Sequence, residues 1–129
     1  MHIQTEPELE ELLSQPDDAT AAAMASLEGG LLILGAGGKM GPSLARLARR
    51  SCERVAVARF TNSSLPAELG VLGIETITCD LLDRAALARL PGIPNVIFMA
   101  ARKFGTSGEA HLTWAMNTDL SRTRRRALP

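Results

Sequence analysis

The sequence predicts an α/β fold: a doubly wound parallel sheet, incomplete at about four strands, with a helical extension at its amino terminus. Short apolar runs alternate with helical patterns from Leu31 onward, which is typical of a parallel sheet with helices on both faces. Right-handed crossovers between such strands give the doubly wound topology. Hydrophobic residues make up 46% of the 129 residues, enough for one small core.

An acidic helical extension is expected over residues 1–29. Thr5, with Glu8 three residues later, forms a capping-box pattern that starts a helix. This helix is expected to run to about Ser14, before Pro16 ends it.

A second, alanine-rich helix is expected next. Asp17 or Asp18 caps it, it continues to about Leu27, and the glycine pair at 29–30 stops it. The two helices either pack on the sheet edge or form an arm that docks elsewhere, and the sequence leaves both arrangements open.

The alternating pattern extends over residues 30–120 and is followed by a basic, irregular tail at residues 121–129. Apolar runs predict four strands, at residues 31–35, 54–60, 74–80 and 95–101. Helical patterns predict four helices, at residues 42–50, within 61–72, after Asp83 and from about Glu109.

A glycine-rich loop joins the first strand to its helix in the run LLILGAGGKMG. Gly35, Gly38 and Gly41 have the spacing GxxGxxG, and the sixth position of a GxGxxG pattern is not glycine. Glycines let the backbone approach a pyrophosphate, and the N–H groups of the first helical turn meet its negative charge. The loop therefore predicts the phosphate-binding corner of a Rossmann-like, dinucleotide-binding domain; the alternative is a tight turn without a ligand.

Arg59 follows the second strand, where such folds hold the adenosine ribose. An acidic residue there would bind the 2′-hydroxyl of NAD, whereas an arginine accommodates the 2′-phosphate of NADP. No acidic residue is nearby, and Lys39 in the glycine loop adds a second positive charge. NADP is therefore the expected cofactor and NAD the alternative, unless Arg59 is only an exposed residue at a strand end.

Two further strand ends carry suitable residues. Asp80 can accept from the adenine amino group while Leu81 lies against the ring, although Asp80, like Asp83, can instead cap the next helix. Ala100 and Ala101 are small enough for a cofactor to lie close over the fourth strand. The candidate cofactor-binding residues are Gly35, Gly38, Lys39, Met40, Gly41, Arg59, Asp80, Leu81, Ala100 and Ala101.

No catalytic residue and no metal site is assigned. Cys52 and Cys79 are isolated and have the character of reduced, partly buried side chains. His111 is interpreted as a surface or capping residue and Trp114 as core or interface. Ser107 and Glu109 lack triad partners, which favours simple loop polarity.

Charge is unevenly distributed along a chain of zero net charge. Residues 1–30 hold seven carboxylates and no lysine or arginine, so all fourteen basic residues follow them. A basic body suits an anionic ligand, although a solvated surface explains the counts equally well. The tail arginines have no interleaved aromatic residues, which argues against binding of nucleic acid.

Neither a signal peptide nor a membrane span is indicated by the sequence, so a cytoplasmic location is expected.

Five segments together resemble the extended short-chain dehydrogenase/reductases, the NAD-dependent epimerase/dehydratase group. They are LLILGAGGKMG, VAVARF, TCDLLD, NVIFMAA and MNTDL, within about residues 30–120. In this resemblance Asp80 and Leu81 match the adenine-contacting pair, and Ala100 and Ala101 the small residues over the cofactor. Asn117 matches a structural asparagine, whereas Leu34 stands where the family usually has threonine.

The resemblance stops before the family's catalytic residues. The family uses a Tyr-x-x-x-Lys pair and a serine, with NAD(P) carrying the hydride. This chain has no tyrosine, and no lysine follows Lys103. The resemblance thus implies the amino-terminal half of such an oxidoreductase, inactive alone, and we expect a truncated or frame-shifted product.

Two alternatives stay open: a standalone NADP-sensing or regulatory module, and an enzyme whose missing parts come from another chain. A half sheet leaves strand edges exposed, where a second copy or a complementing chain can pair.

Overall fold

A computed structural model describes residues 2–35, 40–58 and 64–99 of the chain. Within these residues, four parallel strands form one sheet in the order β3-β2-β1-β4, with helices between them, which confirms the predicted doubly wound α/β fold of about four strands. The elements are α1 (Glu6–Leu13), α2 (Asp18–Ala25), β1 (Leu31–Leu34), α3 (Gly41–Arg49), β2 (Val55–Ala58), α4 (Leu65–Val71), β3 (Glu75–Ile77), α5 (Arg84–Ala88) and β4 (Asn95–Phe98).

The first strand, β1, lies between two other strands of the sheet. Leu31 is in register with Val55 of β2 on one side and with Asn95 of β4 on the other. The chain therefore moves outward from β1 through β2 to β3, then returns past β1 to place β4. The strand order therefore reverses between β1 and β4, and the carboxyl ends of these two strands lie on either side of this switch point.

Alternate residues of the strands face two separate cores. Leu32 and Leu34 point to one face with Leu87 of α5, while Leu31 and Ile33 point to the other. The second face is covered by α3 and α4, which contribute Ala45, Ala48 and Leu69. Both faces of β1 are thus buried, which is why its sequence is a continuous apolar run rather than an alternating one.

The amino-terminal helices begin where the sequence predicts. Thr5 Oγ1 accepts from the Glu8 N–H at 3.3 Å, and Asp17 Oδ1 accepts from the Thr20 N–H at 2.7 Å. Helix α2 ends at Ala25, two residues before the expected end.

The structure also settles where this extension lies. Helix α1 packs against α3, and Met24 and Leu27 pack against the core that α3 covers. The two helices of the extension therefore lie against the helical layer on one face of the sheet.

Strand β3 is shorter than predicted. It covers Glu75–Ile77 instead of residues 74–80, and Ile77 is in register with Ala58 of β2. The chain beyond β4 from residue 100, including the predicted helix from Glu109 and the basic tail, lies outside the described residues. None of the helices in the described residues has the length and apolar composition that a membrane span requires.

Candidate functional site

The carboxyl ends of β1 and β4 meet at the point where the strand order reverses. The Met99 N–H donates to the Leu34 carbonyl at 2.8 Å, so the pairing of the two strands continues to their last residues. On the other side of β1, the Gly35 N–H donates to the Ala58 carbonyl at 2.9 Å. In open α/β sheets this switch point opens a crevice outside the strand ends, where ligands bind.

Gly35 is the residue at which the chain leaves this edge. Its φ is +95°, a region that residues with a β-carbon rarely adopt. A glycine is therefore required here by the backbone, whatever the loop binds. Gly38 and Lys39, the next candidates along the loop, lie outside the described residues.

The described chain resumes at Met40, the residue that directly precedes α3. No side chain caps the first turn of α3, and that turn contains no acidic residue, whereas α1 and α2 are each capped by a side chain and begin with carboxylates. Gly41 and Ser43 carry backbone N–H groups in this turn, and Pro42 has none. A helix start without its own anion or cap is suited to an external anion.

Asp80 lies at the same edge of the sheet, three residues beyond β3, and is exposed. Its Oδ1 accepts from the Leu82 N–H at 3.0 Å, and its carbonyl oxygen accepts from the Asp83 N–H at 3.0 Å. Asp83 in turn accepts from the Ala85 N–H at 2.9 Å and caps α5, as predicted. The Asp80 carboxylate therefore helps to shape this turn while it faces solvent.

The side chain of Leu81, predicted to lie against the adenine ring, is buried in the structure. It is 1% exposed and packs in the core beside Leu87, because the turn after β3 directs it under α5. Any contact between Leu81 and a ligand is therefore made by the backbone atoms of this residue.

The structure thus places five of the ten candidates: Gly35, Met40, Gly41, Asp80 and Leu81. Gly35, Met40 and Gly41 belong to the turn between β1 and α3, and Met40 is 73% exposed there. Arg59, Ala100 and Ala101 lie outside the described residues together with Gly38 and Lys39.

One neighbour of this turn, on helix α1, was not among the residues predicted for the site. Glu10 of α1 accepts through Oε2 from Ser43 Oγ at 3.0 Å, and its Oε1 lies 3.8 Å from Arg46 Nε. One turn further along α3, Arg50 Nη2 lies 2.8 Å from Glu11 Oε2. The acidic start and basic body of the chain were a signal for such pairing, but charge counts do not reveal which residues meet.

Both cysteines are free and buried. Burial raises the pKa of the Cys52 thiol, and burial followed by the charges of Asp80 and Asp83 raises the pKa of Cys79. Neither thiol is therefore activated as a nucleophile.

Comparison with known proteins gives no assignment. No protein-family model matches the chain, and no curated protein matches it either.

Proposed function

We propose that this chain binds a dinucleotide at the carboxyl edge of its sheet, and that it prefers NADP to NAD. The observation that carries the proposal is the turn after the central strand. Gly35 leaves β1 with positive φ, and the chain then enters the uncapped helix α3 beside the β1–β4 switch point. A pyrophosphate over this turn accepts from the Gly41 and Ser43 N–H groups and complements the positive end of α3.

The preference for NADP is inferred from residues that follow the strand ends. Arg59 comes directly after Ala58, the last residue of β2, and Lys39 belongs to the glycine loop. A guanidinium pairs well with the 2′-phosphate, and a lysine adds a second charge. In this proposal Asp80 accepts from the adenine amino group, and Ala100 and Ala101 leave room for the cofactor over β4.

Binding rather than turnover is the proposed activity of the chain alone. A bound nicotinamide would supply hydride transfer, but the sequence lacks the tyrosine used by the epimerase/dehydratase-type oxidoreductases that it resembles. An NADP-sensing module is the second candidate, because the contact between Glu10 and Ser43 connects the amino-terminal extension to the proposed phosphate turn. Pairing with a second or complementing chain at a sheet edge also stays a prediction.

The test is a calorimetric titration of the folded protein with NADP and with NAD, using two arginine variants. Arg59→Ser removes the proposed 2′-phosphate contact, whereas Arg54→Ser removes an arginine from the other end of β2, where it pairs with Glu75. Loss of a charge-assisted hydrogen bond costs ~1.5–3 kcal/mol, so Arg59→Ser should weaken NADP about tenfold or more and leave NAD unchanged.

Arg54→Ser should change the affinity for neither nucleotide. A folded wild-type protein that binds neither nucleotide at millimolar concentration would refute the proposal. Equal loss of NADP affinity in both variants would refute the role of Arg59.

A further inference from the structure

The Glu10 carboxylate lies against the first turn of α3. It accepts from Ser43 Oγ at 3.0 Å, and Ser43 is the third residue of that helix. The carboxylate thus supplies a negative charge within one turn of the amides proposed to hold the pyrophosphate. The only nearby compensation among the described contacts is Arg46, whose Nε lies 3.8 Å away, beyond hydrogen-bond distance.

Helix α1 is held in place by polar contacts. None of its residues is buried, and Glu11 and Arg50 form their ion pair with side chains that are 60% and 39% exposed. A cleft of about 360 Å³ also opens between α1 and α3, lined by Glu11, Ser14, Arg46, Arg49, Arg50 and Leu72. Exposed ion pairs contribute little stability and are screened by salt.

The neighbouring helix α2 is attached differently. Met24 packs against the core under α3, and its carbonyl oxygen lies 3.3 Å from Cys52 Sγ. Since apolar packing secures α2 and polar contacts secure α1, α1 can detach while α2 and the sheet stay folded.

We propose that α1 is a releasable acidic latch that lowers the affinity of the α3 first turn for phosphate groups. Docked α1 places the Glu10 charge beside that turn, where it repels a second anion; detached α1 carries the charge away. The ligand class is the pyrophosphate of a dinucleotide, so this inference deepens the proposed function and rests on the phosphate-binding turn that it proposes. By linkage, a bound dinucleotide favours the detached state of α1 to the same extent that detachment favours binding.

Two isosteric variants test the latch. Glu10→Gln keeps an acceptor for Ser43 and removes the charge at the start of α3. Glu11→Gln makes the same change at the end of α3, where it loosens α1 without altering the charge beside Ser43. In calorimetric titrations with NADP at low salt, Glu10→Gln should tighten the Kd about three- to tenfold and Glu11→Gln less than about twofold.

A charge-neutral variant gives an independent measurement. Thr5→Ala removes the side-chain cap of α1 and leaves every charge in place, so it should tighten the NADP Kd in the same direction as Glu10→Gln but by less. Equal NADP affinities of wild type, Glu10→Gln and Thr5→Ala would overturn the latch.

Inorganic pyrophosphate separates the latch from the dinucleotide proposal. Each variant is titrated with it while the amide resonances of Gly41 and Ser43 are followed by NMR. If NADP binds no variant but pyrophosphate shifts these amides, and does so at lower concentration in Glu10→Gln, the latch holds and the dinucleotide proposal fails. If pyrophosphate shifts them in no variant, or equally in all, the latch is overturned.

Discussion

Asn95 and Gly30 are joined by a hydrogen bond of 2.9 Å from the Asn95 side-chain amide to the Gly30 carbonyl oxygen. The same Nδ2 donates to the Glu28 carbonyl at 2.9 Å. Asn95 is the first residue of β4, and Gly30 directly precedes β1. One side chain thus fixes the turn that enters the central strand to the strand beside it, at the end of the sheet opposite the candidate site.

Removing this side chain should destabilise the fold without altering the candidate site. Asn95→Ala leaves two carbonyl oxygens without their donor, which costs about 1–3 kcal/mol of unfolding free energy. Urea unfolding followed by circular dichroism measures the change. Asn95→Asp is the matched variant, because it keeps the shape and loses both N–H donors. Wild-type stability in Asn95→Asp would show that the two hydrogen bonds contribute nothing.

The same turn makes Gly30 sensitive to substitution. Its φ is +85°, and a β-carbon there would lie 2.8 Å from Arg54 Cβ and closer still to the Arg54 carbonyl oxygen. Because backbone strain and a steric clash add together, Gly30→Ala should lower the free energy of unfolding by about 2–4 kcal/mol. Gly70 in α4 is the control, since a β-carbon there would meet nothing within 4 Å.

Gly70→Ala should be neutral or stabilising by up to ~1 kcal/mol, because alanine is the better helix former. Comparable loss in both glycine variants would contradict the packing of Gly30 against Arg54. Both variants can be compared with wild type in the same urea titration.

The fold follows from local signals that agree with one another. The caps at Thr5, Asp17 and Asp83 and the apolar run from Leu31 to Leu34 all predict what the structure contains. Strand ends were less predictable: the strand predicted over residues 74–80 includes Thr78 and Cys79, but β3 ends at Ile77. A strand's length depends on its partner, which its own sequence does not encode.

The site was predictable only in part, for a similar reason. Glycine at position 35 is detectable because a backbone with positive φ restricts the residue type. The burial of Leu81 and the contact of Glu10 with Ser43 are long-range packing outcomes, and no spacing in the sequence specifies them. Apolar residues next to a functional motif are consistent with ligand contact or with core packing, and the sequence alone does not distinguish the two.

The pair formed by Arg54 and Glu75 predicts a pH dependence of stability. Hydrogen bonding from Arg54 lowers the pKa of Glu75, in competition with a smaller opposing effect of burial. Because its folded-state pKa is lowered, the carboxylate contributes stability above its unfolded pKa, near 4.5, and loses it as the pH falls through the folded pKa. Both side chains are about half exposed, so solvent screens the effect and it should be small.

Glu75→Gln isolates this contribution. The urea midpoint of wild type should exceed that of the variant at pH 7, and the difference should shrink as the pH is lowered below about 4.5. A difference that stays constant over this range would mean that ionisation of Glu75 is not the cause. Repeating the series at high salt should reduce the difference at pH 7, because both side chains are accessible to ions.

The two buried cysteines provide a last prediction, which connects stability with the candidate site. Cys52 is 3% and Cys79 9% exposed, and burial raises the pKa of both, so a thiol reagent should modify them slowly in the folded protein and rapidly in urea. Cys79 directly precedes Asp80, whereas Cys52 follows the last turn of α3, away from the proposed adenine position. NADP bound at Asp80 should therefore slow modification of Cys79 more than that of Cys52.

Alkylation rates at the two cysteines, measured by mass spectrometry in one sample with and without NADP, give the ratio of the two slowing effects directly. Equal slowing at both would indicate stabilisation of the whole fold, and no slowing at either would place any nucleotide away from the end of β3.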